Sequence, residues 1–194
     1  LQAARGHLAR GFWDISLDRR EQECLRYLEV LAQTKTRSWF HHSAFIVAEV
    51  DGRPAAALCG YDHNESGGEV ADKALGEAAL AMGFNEADLA GMMQRFGPIA
   101  TCISDPAAGA WIIENVATWP EYRRKGLVDS LLKEMLEIGH RKGHKFGQIS
   151  VLINNDPAQT AYEKAGFKVA DEKRHPDFQR AVGEPGMRRL LRAL

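Results

Sequence analysis

A basic turn, Arg123-Arg124-Lys125-Gly126, stands between an apolar run at 110–117 and a stretch with helical spacing of leucines that begins at Leu127. A turn that ends a strand and begins a helix leaves the first backbone N–H groups of the helix free, and the helix dipole adds partial positive charge there. Because Gly126 has no Cβ, phosphate oxygens can approach its backbone, and the basic side chains can reach the same oxygens. The sequence therefore predicts an anion site suited to a pyrophosphate, with a solvated basic turn as the alternative.

Two common phosphate-binding loops do not account for this turn. The nucleotide loop G-x-x-x-x-G-K-[ST] and the dinucleotide loop G-x-G-x-x-G are both absent from the sequence. The predicted anion site therefore belongs to a different class of fold.

Two blocks of the sequence together resemble the GCN5-related N-acetyltransferases. The first, V-A-T-W-P-E-Y-R-R-K-G-L-V, is similar to the family signature [RQ]-x-x-G-x-[GA], with Arg123 and Gly126 in place and Val128 where glycine or alanine is usual. The second, N-D-P-A-Q-T-A-Y-E-K-A-G-F, resembles the family pattern N-x-x-A-x-x-x-Y-x-x-x-G-F. The resemblance covers roughly 110–170 and fits the apolar runs at 44–61, but it is weak over 1–40 and absent over 68–97.

The resemblance implies an acetyl-CoA site. The strand end Val116-Ala117-Thr118 would separate from its neighbour and pair its backbone with the pantetheine arm, and an N–H near Ala117 or Thr118 would hold the oxyanion. Asn155 would hydrogen-bond the pantetheine, although its position also suits a cap of the helix that Pro157 begins. The pyrophosphate would be held by the main-chain N–H groups of Arg123, Arg124, Lys125, Gly126, Leu127 and Val128.

Two side chains are candidates for proton transfer. Glu114 is the candidate general base, because strand alternation predicts that it shares a face with Ile112 and Val116. Family members with a strand glutamate place it nearer Ile112, and an ordinary strand-end carboxylate is the alternative. By resemblance, Tyr162 is the general acid that protonates the departing thiolate, and packing of its ring against the sheet is the alternative.

The elements that must position these groups follow from hydrophobic periodicity. Asp51-Gly52 between two apolar runs predicts a hairpin of strands near 44–50 and 54–61, preceded by two short helices. After the strand at 110–117 come a helix ended by Gly143, a strand at 148–153, a helix from Pro157 through Lys164 and a strand from Phe167. The pattern of the last run, 187–194, fits either a strand or a helix, and the resemblance favours a final strand. With the resemblance, this order predicts one α/β domain over 1–194, whose mixed, mostly antiparallel central sheet is flanked by helices.

An Ala-, Leu- and Met-rich stretch at about 68–97 predicts a helical insert before the cofactor strand. Asn85 with Asp88 three residues later predicts a cap of its second helix, and the prolines and glycines of 97–109 should return the chain to the sheet. Apolar side chains of the insert either form core or wall the acceptor pocket: Met82, Phe84, Met92, Met93 and Phe96.

Composition limits the partners. The 25 basic and 26 acidic residues nearly cancel, and no apolar run is long enough to span a bilayer, so we expect neither a nucleic acid nor a membrane as partner. Three scattered cysteines predict reduced thiols in the cytoplasm.

Gly143 separates His140 from His144, so we expect no metal, and we expect the His41-His42 pair to be solvated. Trp111 and Trp119 could line a pocket, with core or rim packing as the alternative.

The leading functional prediction is an N-acetyltransferase that moves an acetyl or short acyl group from acetyl-CoA to a primary amine of a small molecule, by direct attack in a ternary complex. One alternative acceptor is a protein N-terminus or lysine. The alternative from another class is an acyl-CoA-binding regulatory module without turnover. Edge strands in this fold class often pair into dimers, so the sequence leaves both a monomer and a homodimer open.

Overall fold

The structure is a computed structural model that describes residues 1–194. Its centre is one six-stranded sheet with strand order β1-β2-β3-β4-β6-β5, in which only β3 and β4 are parallel. The mixed, mostly antiparallel sheet predicted from the sequence is confirmed. The strands are β1 (Phe45–Val50), β2 (Arg53–Asp62), β3 (Ala110–Thr118), β4 (Phe146–Leu152), β5 (Lys168–Arg174) and β6 (Gly186–Ala193).

Nine α-helices surround the sheet. Two of them, α5 and α6, form the predicted helical insert, and three rather than two helices precede the first hairpin. In chain order the helices are α1 (Gln2–Arg5), α2 (Phe12–Leu17), α3 (Glu21–Leu31), α4 (His63–Ser66), α5 (Gly68–Ala81), α6 (Glu86–Ala100), α7 (Leu127–Arg141), α8 (Asp156–Lys164) and α9 (Pro176–Val182).

The predicted hairpin and helix cap are both confirmed. Asp51 and Gly52 join β1 to β2 with φ of 51° and 71°, the left-handed pair that a two-residue hairpin turn requires. Asn85 begins α6, where its side chain accepts the N–H of Asp88 and the Asp88 carboxylate accepts the N–H of Asn85. Local residue chemistry therefore fixes both features.

Strand β3 contains a bulge that corrects one prediction. Cys59 of β2 pairs with Glu114, but Ala57 pairs with Ala117, so β3 carries one extra residue between these pairs. Asn115 there has a φ of 56°. A bulge reverses the alternation of side chains, so Glu114 shares a face with Ile112 but not with Val116, which packs against the core beneath α7.

The parallel pairing of β3 with β4 stops halfway along β3. It runs from Ala110 opposite Phe146 to Ile113 opposite Ile149. Beyond Ile113, residues 114–118 of β3 have a strand partner only on the β2 side. The sheet therefore opens where the sequence predicted that the cofactor strand separates from its neighbour.

Helix α7 covers one face of the sheet through a stripe of buried side chains: Leu131, Leu132, Met135 and Leu136. Gly139 allows the closest approach, since a Cβ built there would lie 2.6 Å from Cγ of Trp111. This packing fixes the position of the N-terminus of α7 relative to the open end of β3.

Two local predictions are wrong, and two short helices were not predicted. Pro98 does not end α6, which runs to Ala100 because the fully buried Ile99 holds the last turn in a cluster with Phe178 and Val182. One of the two helices is α4, which follows β2 and begins where the Asp62 side chain accepts the N–H of Asn64.

The other two corrections concern α9 and a histidine. Helix α9 was not predicted, although Pro176 at its start and the buried pair Phe178 and Val182 four residues apart are helix signals. His41 is buried rather than solvated, and its Nδ1 lies 2.7 Å from Oγ of Ser43. Only its neighbour His42 is exposed.

Candidate active site

A cavity of about 550 Å³ occupies the opening between β3 and β4. Its walls come from the open end of β3, the end of β4, helix α8, the N-terminal helices and the insert, and most of the lining is apolar. Of the predicted site residues, those that line it are Glu114, Val116, Ala117, Thr118, Arg123, Val128, Asn155 and Tyr162. The rest of the turn, Arg124 to Leu127, lies outside the lining.

The basic turn presents unpaired donors. The backbone N–H groups of Arg124, Lys125 and Gly126 donate no hydrogen bond within the protein. The three residues that follow form the first turn of α7, where no preceding helical carbonyl is available to them. A run of free N–H groups at the start of a 15-residue helix can bind an anion, and the anion site itself stays a prediction.

Backbone conformation and charge both suit this role. Arg124 and Gly126 have φ of 62° and 75°, so the turn is left-handed at two positions. None of the three basic side chains is in an ion pair, whereas the one acidic residue in the first turn of α7, Asp129, is paired with Lys164. The local charge facing solvent is therefore positive.

The side chain of Val128 packs partly against the hydrophobic core. It lines the cavity, and it also packs against the hydrophobic cluster beneath α7, as Leu127 does. The valine that departs from the family pattern therefore contributes part of its bulk to the core.

Thr118 is the last residue of β3 and lies in the part of the strand that has no partner in β4. Its hydroxyl oxygen is buried and has no hydrogen-bond partner. Its carbonyl oxygen accepts a hydrogen bond of 3.1 Å from Nε2 of Gln2, so α1 lies across the end of the strand. A buried hydroxyl without a partner fits a polar ligand in this cleft, because such groups otherwise carry a desolvation cost.

Glu114 lies at the point where the two strands separate. Its side chain is only partly exposed, and its carboxylate has no hydrogen-bond or ion-pair partner. Burial raises the pKa of this carboxyl from 4.5 to about 7. A carboxylate with such a pKa can accept and release a proton near neutral pH.

Tyr162 projects from α8 into the same cavity. It is 7% exposed, its ring meets that of Phe167 edge-on at 6.5 Å, and its hydroxyl makes no hydrogen bond to the protein. Burial, followed by the nearby charge of Glu114, raises the pKa of the phenol above its usual value. The hydroxyl therefore stays protonated at neutral pH and is free to donate.

Asn155 begins α8, but its side chain makes no capping hydrogen bond, so the capping alternative is wrong. Its amide group lines the cavity and lies near Gly6. The amide is left available to a ligand, and its predicted contact with the pantetheine stays a prediction.

Sequence reasoning missed the N-terminal contribution to the cavity. Side chains of Gln2, His7, Phe12 and Trp13 line it, although the resemblance is weak over this segment. No local signal points these residues at β3. Only the amphipathic spacing of Phe12 onward could have placed a helix there.

The apolar side chains of the insert lie in two different places. Met92, Met93 and Phe96 line the cavity, as one alternative proposed. Met82 and Phe84 instead pack on the cluster around Tyr27, with the rings of Tyr27 and Phe84 stacked at 5.6 Å.

Trp111, Trp119 and the adjacent histidines His41 and His42 do not line the cavity. Trp111 is 3% exposed in the core and packs against His144, whereas Trp119 is 55% exposed.

No three His, Cys, Asp or Glu side chains are arranged to hold a metal ion. None of the helices combines the length and apolar character that crossing a bilayer requires.

Comparison with known proteins establishes the family and, with it, the class of enzyme. Residues 11–167 match the family model described as the acetyltransferase (GNAT) family. Since the match covers most of the chain, the protein belongs to this family and is an acyltransferase.

Solved structures agree on the fold. One described as an acetyltransferase has a TM-score of 0.68 and 16% sequence identity, with 92% of this chain and 84% of that chain covered. An N-acetyltransferase from Staphylococcus aureus Mu50 has a TM-score of 0.66 and 19% identity, with 93% and 88% covered. A search of curated proteins by sequence found no match.

Proposed function

We propose that this protein transfers an acetyl or other short acyl group from acyl-CoA to a primary amine of a small molecule, within a ternary complex. The observation that carries the proposal is the position of Glu114 and Tyr162 in one cavity at the opening between β3 and β4. The free N–H groups of the basic turn stand at the edge of the same cavity. Family membership supports acyl transfer, and this geometry supports the assignment of roles.

Acyl-CoA supplies an activated acyl group on a thioester. The turn from Arg123 to Val128 would hold its pyrophosphate with N–H groups and basic side chains. The unpaired edge of β3 from Val116 to Thr118 would hold the pantetheine, with the Asn155 amide as a further donor. The orphaned Thr118 hydroxyl is a further polar group available on that path.

The amine must lose a proton before it attacks. An alkylamine with a pKa of ~10.4 lies about 3.4 units above pH 7, which corresponds to a cost of about 4.6 kcal/mol for the neutral form. Glu114, whose pKa is about 7, is ionised in part at neutral pH and can accept that proton directly or through water. Its place beside the opening of the sheet puts it next to the predicted path of the thioester.

The departing thiolate needs a donor. The Tyr162 hydroxyl is protonated at neutral pH, has no partner in the protein and faces the cavity. It would donate a hydrogen bond to sulphur as negative charge develops there, and its proton would follow as the C–S bond breaks. The second proton that the attacking nitrogen loses would then restore the phenol.

A walled cavity supports a small acceptor. Helix α6 adds Met92 and Phe96 to the lining of the cavity, whereas a peptide acceptor would call for a long open groove. Acetylation of a protein N-terminus or lysine is therefore the second candidate. A homodimer and a cytoplasmic location stay predictions, which sedimentation and cell fractionation would test.

The first test is binding of acetyl-CoA by calorimetry, with free CoA and ATP as controls. We expect micromolar binding that ATP does not reproduce, since ATP lacks the pantetheine arm. Release of free CoA thiol with an amine panel then measures turnover. No binding at millimolar cofactor would overturn the assignment of the site, and binding without turnover of any amine would overturn the assigned roles.

A further inference from the structure

The bulge in β3 lies against a buried cysteine of β2. Cys59 is fully buried and pairs with Glu114 across the two strands, next to the position where β3 carries its extra residue. Side chains of residues paired in this way lie on the same face of the sheet and within contact range. Cys59 is therefore placed to act on both the backbone and the side chain of Glu114.

Two hydrogen bonds connect the thiol of Cys59 to the bulge. Its Sγ donates to the backbone carbonyl oxygen of Glu114 at 3.4 Å and accepts from Nδ2 of Asn115 at 3.6 Å. Burial, followed by the charge of Glu114, raises the pKa of the thiol, so the thiol keeps its proton and can donate it at neutral pH. One sulphur atom thus joins the two consecutive residues at which the strand departs from regular pairing.

Asn115 has an uncommon backbone conformation. Its φ of 56° is left-handed, which is unfavourable for most side chains and which asparagine tolerates better than most residues. Its side chain is bonded to Cys59, so a contact with the neighbouring strand holds the left-handed residue in place. Such a conformation persists where the surrounding structure maintains it.

Strand pairing supports β3 beyond the bulge. Ala117 pairs with Ala57, and Thr118 pairs with Ala56. This stretch, which is predicted to bind the pantetheine, therefore keeps its own partner if the contacts of the thiol are lost. The residues at the bulge itself depend more on those contacts.

We propose that Cys59 and Asn115 are positioning residues, which hold the bulge of β3 so that the carboxyl group of Glu114 stays beside the opening of the sheet. The inference rests on the proposed function for the role of Glu114 in proton transfer. Without these contacts the strand can relax towards regular alternation, and water can reach the carboxyl group. The effect should therefore fall on proton transfer and not on cofactor binding.

The groups that respond to the charge of Glu114 come from two neighbouring elements: Cys59 and Tyr61 on β2, and Tyr162 on α8. Burial, followed by that charge, raises the pKa of each, so all three stay protonated between about pH 5 and 8. The other titratable side chains that line the cavity are His7, Asp72 and Arg123. Glu114→Gln is therefore the reference that assigns an inflection near pH 7 to Glu114.

Cys59→Ala removes both hydrogen bonds, and Cys24→Ala is the matched control. Cys24 is equally buried and its Sγ donates to the backbone carbonyl oxygen of Arg19 at 3.5 Å, but it does not line the cavity. At saturating acetyl-CoA and amine, Cys59→Ala should lower kcat about tenfold and move the inflection near pH 7 down by at least about half a unit, because the carboxyl group gains water.

The calorimetric Kd of acetyl-CoA should change less than about twofold in Cys59→Ala, since the pantetheine edge keeps its pairing. Cys24→Ala should leave both kcat and the inflection unchanged. Equal effects of the two alanine variants on kcat and the inflection would overturn the inference.

Two further variants test the individual contacts. Cys59→Ser keeps a group that both donates and accepts, so it should recover most of the kcat lost in Cys59→Ala. Asn115→Gly permits the same φ without the amide, so it should fold and still lower kcat about threefold. A serine variant as impaired as the alanine variant, or an Asn115→Gly protein with wild-type kcat and inflection, would overturn the assigned contacts.

Urea unfolding gives a readout that needs no turnover. Glu114 lowers the free energy of unfolding of the wild type as pH rises from about 5 to 8, because its pKa is raised to about 7 in the folded protein. This loss of stability should be smaller in Cys59→Ala and unchanged in Cys24→Ala. An equal loss in Cys59→Ala and the wild type would overturn the inference, whereas binding of acetyl-CoA without turnover of any amine would overturn the proposed function alone.

Discussion

Replacing Glu114 by glutamine should change the pH dependence of both stability and turnover. Burial raises the pKa of this carboxyl from 4.5 to about 7, so the folded protein binds a proton that the unfolded chain releases. The wild-type protein therefore gains stability from this group at low pH and loses it as pH rises through 7. Glutamine keeps the shape and has no such titration.

The size of the effect follows from the two pKa values. At about pH 8 the ionised carboxylate costs the folded state about 3.3 kcal/mol relative to the protonated group, and at about pH 5 it costs about 0.8 kcal/mol. The difference in free energy of unfolding between Glu114→Gln and the wild type should therefore grow by about 2.5 kcal/mol over this range. Glutamine should be the more stable variant at the alkaline end.

Urea unfolding of both proteins across this pH range measures the difference. Repeating the measurement with added salt is the control. Desolvation rather than a neighbouring charge raises this pKa, so screening of charges by salt should leave the difference in free energy of unfolding between the two proteins unchanged. In the wild type, kcat at saturating amine should also rise through about pH 7 as Glu114 ionises, and the variant should lack that inflection. Parallel stability curves for the two proteins would refute the raised pKa.

Substitutions at three further positions test the proton donor, the basic turn and the helix cap. Tyr162→Phe keeps the ring packing and removes the free hydroxyl, so kcat should fall about 100-fold while the calorimetric Kd of acetyl-CoA stays within about twofold; unchanged kcat would remove the acid role. Gly126→Glu should weaken acetyl-CoA binding at least about 100-fold by placing negative charge at the free N–H groups. The control is Gly126→Ala, whose Cβ would contact no other atom. It should chiefly lower the free energy of unfolding by about 1 kcal/mol, because the backbone at this position has a φ of 75°. Retained affinity in the glutamate variant would mean that the turn does not hold the pyrophosphate. Asn85→Ala should cost about 1 kcal/mol in urea unfolding by loss of the cap on α6, and Asn85→Asp should cost much less; equal losses would show that the side-chain hydrogen bond does not stabilise the helix.

Features with a local cause were predictable. The turn at Asp51-Gly52, the cap at Asn85 and the apolar stripe of α7 each depend on a few residues adjacent in sequence or one helical turn apart. The two sequence blocks that resemble the family also predicted the roles of the basic turn and of Tyr162, because each lies within a short pattern of residue types. These parts of the fold and site need no knowledge of distant contacts.

Features that depend on distant contacts were mispredicted or missed. The bulge at Asn115 moved Val116 to the other face of β3, and nothing in the alternation of the strand shows an extra residue. Pro98 stays helical because burial of Ile99 outweighs one missing hydrogen bond. The N-terminal helices reach the cavity through contacts such as Gln2 with Thr118, more than a hundred residues apart.

The sequence by itself determined the family, the basic turn, the candidate donor on α8 and the existence of an insert, because short-range spacing and residue chemistry encode each of them. Only the tertiary structure decided how they meet. The pKa of Glu114 depends on what covers it, and the aromatic side chains that line the cavity come from the first forty positions and from the insert. Burial and proximity are properties of the packed chain, so no single segment of the sequence specifies them.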